Sequence, residues 1–536
     1  MMPDAGKSRY GRFAAPHEDR GSLVEPPFSE VGRLIEHNIA LRRQMDYRIE
    51  DRPLADLARQ ARAELLAEAR RWTAAYRPID SAPANPDGPI FLAGHQPELF
   101  HPGVWFKNFA LSTLAQRHGA TAVNLVIDSD TVKGTSLPVP GGSIDEPRVE
   151  AIPLDAPGSP VPFEERKILD RQTFDAFGSR VAGRIGTLVG DPLIQKFWPL
   201  VLGRAAETDR LGDCLAQARH QLEGQWGVRT LEIPQSRVCE GAAFRGFIAH
   251  VIAELPRFRE AYNAAVQEYR RAHGIRNAAH PVPDLAADGP WLETPLWFWT
   301  AERPERRRLM ARHGNGEVTL SDREGLELRL PLGQAGATAR IAEQLAQWHR
   351  QGVKIRSRAL ITTLWARLAL GDLFVHGIGG AKYDQVTDQL IRQFFGVEPP
   401  GIMVLSATLL LPIARAKVSR DQSQAIRGQL RELTFHPEKF LESSSTTHAL
   451  IAEKQRWIET PQTPENAYLR WSSLRRINQS LQSCVAERRQ AMLALQAETA
   501  RAMQKQKVVG RRDYPFCFHP EKNLREFFDE LLPKTA

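Results

Sequence analysis

The feature that most constrains this chain is a short run, Pro89-Ile90-Phe91-Leu92-Ala93, that is apolar throughout and stops at Gly94-His95-Gln96. A strand with one face in water alternates apolar and polar residues, whereas a strand buried on both faces does not. A loop follows through Pro97 and His101-Pro102-Gly103, and the sequence then reads as a helix from about Val104 to His118. After Gly119 a second apolar run, Ala122 to Ile127, ends at Asp128-Ser129-Asp130. Strand, loop, helix and strand in this order have the proportions of a βαβ unit. A second such unit starts at Phe374-Val375-His376-Gly377-Ile378-Gly379-Gly380, which opens a helix of about Tyr383 to Phe395 and leads to a strand at Ile402 to Leu405. The expected fold class is therefore α/β, with a parallel-sheet core.

The chain has 536 residues, too many for one compact core. Residues 1–28 read as a polar tail and 29–87 as N-terminal helices closed by a Pro-rich linker, Pro78 to Gly88. The core spans 88–420, with an insertion of about 160–355. Within it Leu231 to Pro234 reads as a short strand, Ala242 to His273 as one long helix, Trp291 to Trp299 as an aromatic run and Arg306 to Leu332 as a hairpin. A helix near Ala337 to Gln351 leads into the apolar run Leu360 to Leu364. Residues 421–510 read as a helical arm and 511–536 as a C-terminal segment. In the arm, Leu474, Ile477, Leu481, Val485, Met492 and Leu495 are spaced for a coiled-coil seam, interrupted by Arg488. A continuous helix of that length reaches about 60 Å and needs another surface to lie on. A homodimer through residues 466–508 is the expectation.

Charge narrows the partners. Lys plus Arg exceed Asp plus Glu by 71 − 63 = 8. Such a surface attracts anions, including nucleotides and phosphorylated small molecules. The basic residues are scattered, with clusters at Arg306-Arg307-Arg308 and from Lys505 to Arg512. No element for reading nucleic acid is recognisable, so nucleic acid is not an expected partner. The four cysteines (Cys214, Cys239, Cys484, Cys517) form no metal-binding pattern, and free thiols in a reducing compartment are the default. The N-terminus lacks the apolar stretch of a secretory signal, and no run approaches the roughly 18 apolar residues of a membrane span. A cytoplasmic protein without membrane contact is expected.

The residues that can carry chemistry cluster where the apolar runs end. In open α/β sheets ligands bind outside the carboxyl ends of the strands. Gly94, Gln96, His101 and Gly103 surround the first turn, where free N–H groups at a helix start favour an anion. His95 is the candidate donor to a developing negative charge. Asp128 and Asp130 are candidates to orient a substrate, act as a base or hold Mg²⁺. His376, Gly377, Gly379, Gly380 and Asp384 form the second loop, whose glycines allow close approach of a ligand. Lys107 lies one turn into the first helix, within reach of a phosphate at the loop, although a lone helical lysine more commonly faces solvent. His280, Asp284 and Glu293 sit among Pro and Trp residues, an arrangement more common in a packed insertion than in a pocket.

Taken in order, these parts resemble the bacillithiol synthase family of cysteine ligases. Members of that family begin with helices. A strand then ends in a Gly-x-Gln loop followed by Leu-Phe, matched here by Gly94-His95-Gln96-Pro97-Glu98-Leu99-Phe100. The next family strand ends in an acidic cluster resembling Asp128-Ser129-Asp130, with Ser129 here in place of histidine. A later strand ends in Gly-Gly before a helix, as at Phe374 to Gly380. The chain closes with a long helix, a Tyr-Pro segment (Tyr514-Pro515) and an amphipathic helix. The match covers most of residues 30–536, and the stretch His280 to Trp299 has no counterpart. The resemblance implies a Rossmann core with inserted segments, a coiled-coil domain that dimerises, and a nucleotide site taking ATP or ADP with Mg²⁺. The implied activity joins cysteine, or a related amino donor, to a small sugar-derived acceptor. A nucleotidyltransferase-like enzyme releasing pyrophosphate and a non-enzymatic dimeric nucleotide-binding scaffold are the alternatives.

Overall fold

The computed structural model describes the chain except for residues 1–10, 80–84, 333–335, 416–417, 442–444 and 534–536. Parts of the expected tail (1–10) and linker (80–84) thus lie outside the described residues. The chain divides into two units. The first comprises Met1–Val139, Glu150–Leu411 and Arg512–Ala536, and the second Pro140–Val149 and Pro412–Arg511.

The first unit is built on a six-stranded sheet. Its strands in chain order are β1 (Ser22–Glu25), β2 (Ile90–His95), β3 (Thr121–Val126), β4 (Leu231–Pro234), β5 (Leu373–His376) and β6 (Ile402–Ala407). Their order across the sheet is β1-β6-β5-β2-β3-β4. All neighbours are parallel except β1, which runs antiparallel to β6. The chain therefore winds outward from β2 through β3 to β4, returns to the other side of β2 at β5, and continues to β6. The direction of winding reverses between β2 and β5.

The apolar runs occupy both faces of this sheet. Ile90, Leu92, Val123, Leu125, Leu231, Ile233 and Phe374 share one core with Leu57 and Leu65 of helix α1 (Leu54–Ala74) and with Phe244, Phe247 and Trp365. Each such side chain contributes roughly 1.5–3 kcal/mol when buried. On the other face lies helix α2 (Pro102–Arg117), which packs on β2, β3, β5 and β6. Its start is fixed by His101, whose Nδ1 accepts from Gly103 N at 3.1 Å, and by Pro102 in the first turn. Trp105 packs against Phe516 at 4.2 Å between ring centroids, and Phe109 stacks on Phe528 at 4.3 Å, so the C-terminal segment covers this helix.

Several elements differ from the sequence expectations for clear reasons. Residues 22–25 leave the expected tail to complete the sheet edge beside β6. The long helix from 242 to 273 is two helices, Ala242–Ala253 and Leu255–His273, because Pro256 in the first turn of the second removes an N–H donor. The expected hairpin is part of a six-stranded antiparallel sheet, in which the short strand Ala287–Asp288 also pairs with Trp291–Thr300. It adds Trp291–Thr300 and Val353–Ser357 to Arg307–Gly314, Glu317–Ser321 and Glu327–Pro331. The apolar run at 360–364 is helix Ala359–Trp365.

The second unit holds helices Arg420–Phe435, Ser445–Glu459, Ala467–Leu481 and Ala486–Val509. The first packs on the fourth and the second on the third. Ile477, Leu481 and Val485 of the expected seam are buried within the unit. The expected continuous helix is interrupted by a 3-10 turn at Gln482–Val485. Among the described residues, no helix is long and apolar enough to cross a membrane.

Candidate active site at the carboxyl edge of the central sheet

Three of the predicted turns meet at one edge of the sheet. Ala93 of β2 pairs with Val375 of β5 and with Asn124 of β3, so the loops beginning at Gln96, Ile127 and Gly377 leave side by side. Because successive side chains alternate faces, His376 shares a face with Gly94, and His95 points to the opposite one.

His376 is buried and fixed. Its Nε2 lies 2.9 Å from Asp384 Oδ2, nearly two turns into the helix Ile378–Leu390, termed α3. Arg367 Nη1 donates to the same oxygen at 2.9 Å, and Arg367 Nη2 to Asp388 Oδ1 at 2.6 Å. Burial alone would raise the Asp384 carboxyl, but Arg367 and His376 outweigh it and hold it well below the usual carboxylate range. Burial lowers the His376 imidazole, with Asp384 opposing. With Nε2–H donated to a fixed carboxylate, Nδ1 is the lone-pair nitrogen. An added Cβ on Gly380 would meet Nδ1 at 2.4 Å, so this glycine makes room for the imidazole. Asp384, read from the sequence as ligand-facing, is instead a buried partner of His376 and Arg367.

Gly377 and Gly379 differ from Gly380. Nothing lies within 4 Å of an added Cβ at either, so their backbone faces open space. Gly377 is the N-cap of α3 and no side chain caps this helix. The first N–H groups of a helix carry partial positive charge and suit an anion.

The first loop departs further from expectation. His95 is buried against Phe100 at 4.7 Å between centroids, and its Nδ1 lies 3.2 Å from the Gln96 carbonyl. Burial, then Arg219 and Lys107, push its pKa well below the usual value. With Nδ1–H directed to Gln96 O, Nε2 is an acceptor without a partner, which does not suit a donor to developing negative charge. His101 caps α2, and burial lowers its pKa to about 4. Gly103 is required by packing, because an added Cβ would fall 1.9 Å from the Ala407 carbonyl oxygen. Gly94 has ordinary space for a Cβ, its nearest neighbour being 3.5 Å away.

The acidic turn splits. Asp128 is buried, accepting from Ser236 N at 2.9 Å and from Ser236 Oγ at 2.5 Å. Burial and then Glu164 raise its pKa. Asp130 stays at the edge, where Gln96 Nε2 donates at 2.7 Å and Arg306 Nη1 at 2.9 Å. Gln96 thus latches the first loop to the second. These carboxylate oxygens are already occupied by donors, which fits a divalent cation poorly. Asp284 pairs with Arg270 at 2.8 Å, and Glu293 with Arg358 at 2.8 Å, as in a packed insertion.

Two buried charge networks were not foreseen from the sequence. Arg219 joins Glu223 to Glu232 on β4, and Trp105 Nε1 and Asn108 Nδ2 donate to Glu223 at 2.6 and 2.7 Å. His220, Glu223 and Glu232 bring ligand-type atoms within 4.8 Å of one another. Arg219 already supplies the countercharge there. Arg356 in turn joins Glu164 to Glu240. Arg367 was signalled by being the lone charge in Ala359 to Leu370, an otherwise uncharged and largely apolar run. The cysteines carry no sign of activation: Cys214, Cys239 and Cys517 are buried, and burial pushes their thiols up. No protein-family model and no curated protein matches the chain.

Proposed function

We propose that this chain is a ligase resembling the bacillithiol synthases, joining cysteine or a related amino donor to a small sugar-derived acceptor. The nucleotide is held where the winding of the sheet reverses. The parallel order β4-β3-β2-β5-β6 supports a Rossmann-like, doubly wound core, in which ligands lie at the switch point outside the carboxyl ends of the strands. The observation that carries the reading is the His376–Asp384 pair beside the uncapped, open N-terminus of α3, on the strand next to β2.

The site residues have distinct tasks in this reading. The N–H groups at Gly377 and Gly379 face the phosphates. His376, its tautomer set by Asp384, takes the proton from the acceptor amine as that nitrogen attacks the phosphorylated donor carboxyl carbon; the C–N bond replaces the C–O bond to phosphate, which leaves as inorganic phosphate. Asp130, Gln96 and Arg306 fix the loop that borders the acceptor. ATP, when bound, supplies the phosphoryl group that activates the donor carboxylate. No step is assigned to Mg²⁺.

The helices of the second unit form, in the same reading, a coiled-coil arm that dimerises. Tyr468, Leu469, Trp471 and Leu493 are exposed there, which supports a covered surface in a dimer. Light scattering at micromolar concentration should give twice the chain mass, and a monomer would remove this part.

The test is calorimetric titration with ATP, followed by mass spectrometry of reactions containing ATP, cysteine and glucosaminyl acceptors. A cysteine-adduct product with loss of ATP supports the ligase. Pyrophosphate exchange without an adduct would instead make the protein a nucleotidyltransferase. Absence of nucleotide binding contradicts the proposal.

A further inference from the structure

Among the described residues, Lys107 is a buried cation of this edge that pairs with no acid. The residue is 4% exposed. Arg219, Arg356 and Arg367 are each paired with two carboxylates. Among the described residues, the Lys107 ammonium has no carboxylate partner; its recorded hydrogen bond is to the Gly94 carbonyl, at 2.9 Å. A buried ammonium without a counter-ion is costly, and proteins rarely retain one without a use.

Its position gives the use. The His95 carbonyl accepts from Ile127 N at 2.8 Å and so points toward β3. Carbonyls alternate along a strand, so the Gly94 carbonyl points the other way, toward β5. Lys107 Nζ therefore sits on the β5 side of β2, where winding reverses. The positive charge of Lys107 disfavours protonation of His95, His101 and His376, which come from two separate segments, residues 95–101 and the end of β5. Open backbone at Gly377 and Gly379 and the uncapped start of α3 lie on the adjoining strand end. A hydrogen bond to a carbonyl uses one of the three ammonium donors and neutralises no charge.

We propose that Lys107 is the anion-receiving residue of this sheet edge, its ammonium and the first N–H groups of α3 together binding a phosphoryl group. The assignment rests on the nucleotide reading of the site given above. It goes beyond that reading in naming the side chain that neutralises the phosphoryl charge. Lys107 comes from α2 and the N–H groups from α3, so the group is bound across the junction of the two βα units.

The test is calorimetric titration of the full chain with inorganic pyrophosphate and with ATP. Lys107→Gln keeps a donor for the Gly94 carbonyl without the charge, and Lys107→Met keeps the buried stem. The expected result is binding of both ligands by the unmodified protein and a loss of 30-fold or more in each variant that folds. The melting temperature of Lys107→Met should be unchanged or higher, because a purely structural lysine would lower it. Equal affinity in the unmodified protein and Lys107→Gln overturns the assignment of Lys107 and leaves the nucleotide site standing. Absence of binding by the unmodified protein overturns both. Binding of ATP but not pyrophosphate, unaffected by Lys107→Gln, would mean that the nucleoside is recognised elsewhere, and it also overturns the assignment.

Discussion

Asp384 Oδ2 lies 2.9 Å from His376 Nε2, and Arg367 Nη1 reaches the same oxygen at 2.9 Å. The imidazole at the end of β5 is thereby held in one tautomer by a carboxylate that is itself held by a guanidinium. Such a carboxylate positions the base and does not itself take up the proton.

Asp384→Asn should therefore depress turnover on the order of 100-fold or more. It should also cost about 3 kcal/mol of stability, because Arg367 loses the buried one of its two carboxylate partners. Nitrogen NMR of histidine-labelled protein separates the two effects. The His376 resonances should show a single Nε2–H tautomer in the unmodified protein and a mixture in the variant.

The glycines of the two loops should separate in stability measurements. Gly103→Ala drives a methyl into the Ala407 carbonyl and should lower stability by about 2 kcal/mol or more in urea denaturation. Gly379→Ala places its methyl in open space within a helix and should raise stability by about 0.5–1 kcal/mol. The same change narrows the approach to the N–H groups of α3, so ATP binding should weaken. A stable Gly103→Ala protein would mean that the close approach of α2 to β6 is wrong.

Arg219 should be among the most stabilising charged residues. Removing it leaves Glu223 and Glu232 buried and facing each other. Arg219→Met should cost on the order of 3–5 kcal/mol. Glu232 has its pKa raised to about 7 by burial. The Arg219→Met penalty should shrink toward pH 5 as that carboxyl protonates. A penalty that does not change between pH 5 and pH 8 would contradict this account.

Lys107 makes a second pH prediction, in a higher window. Burial lowers its pKa to about 8 from an ordinary 10.5. The unfolded chain then binds more protons than the folded one between these values, so the contribution of this group to stability rises with pH across that window. The span is worth roughly 3 kcal/mol at most. Lys107→Met should flatten this part of the stability profile, measured by denaturant titration from pH 7 to pH 10.

How much of this was legible in the sequence depended on the kind of signal. β2, β3, β5 and β6 were written plainly, because a strand buried on both faces is apolar at nearly every position. Lys107 was also legible in principle: it stands between Trp105-Phe106 and Phe109-Ala110-Leu111, and a helix apolar all round is buried all round. Single-residue habit, which puts lysine at the surface, obscured it. The roles of Gly103 and Gly380 were hidden for another reason. A glycine in a loop looks alike whether it admits a ligand or a neighbouring backbone, and only tertiary packing separates the two. Arg219, Glu223 and Glu232 come from two elements whose meeting no local pattern encodes. The interruption at Gln482–Val485 left the heptad spacing of the arm intact, so periodicity alone could not reveal it.

The central claim is that phosphate is bound at the reversal between β2 and β5. Hydrogen exchange of the full chain with and without ATP, followed by mass spectrometry, tests it most directly. The account predicts slowed exchange at the start of α3, residues 377–381, together with the loop and first turn at 94–107. Protection confined to the helices of residues 420–509, or no protection anywhere, would contradict it.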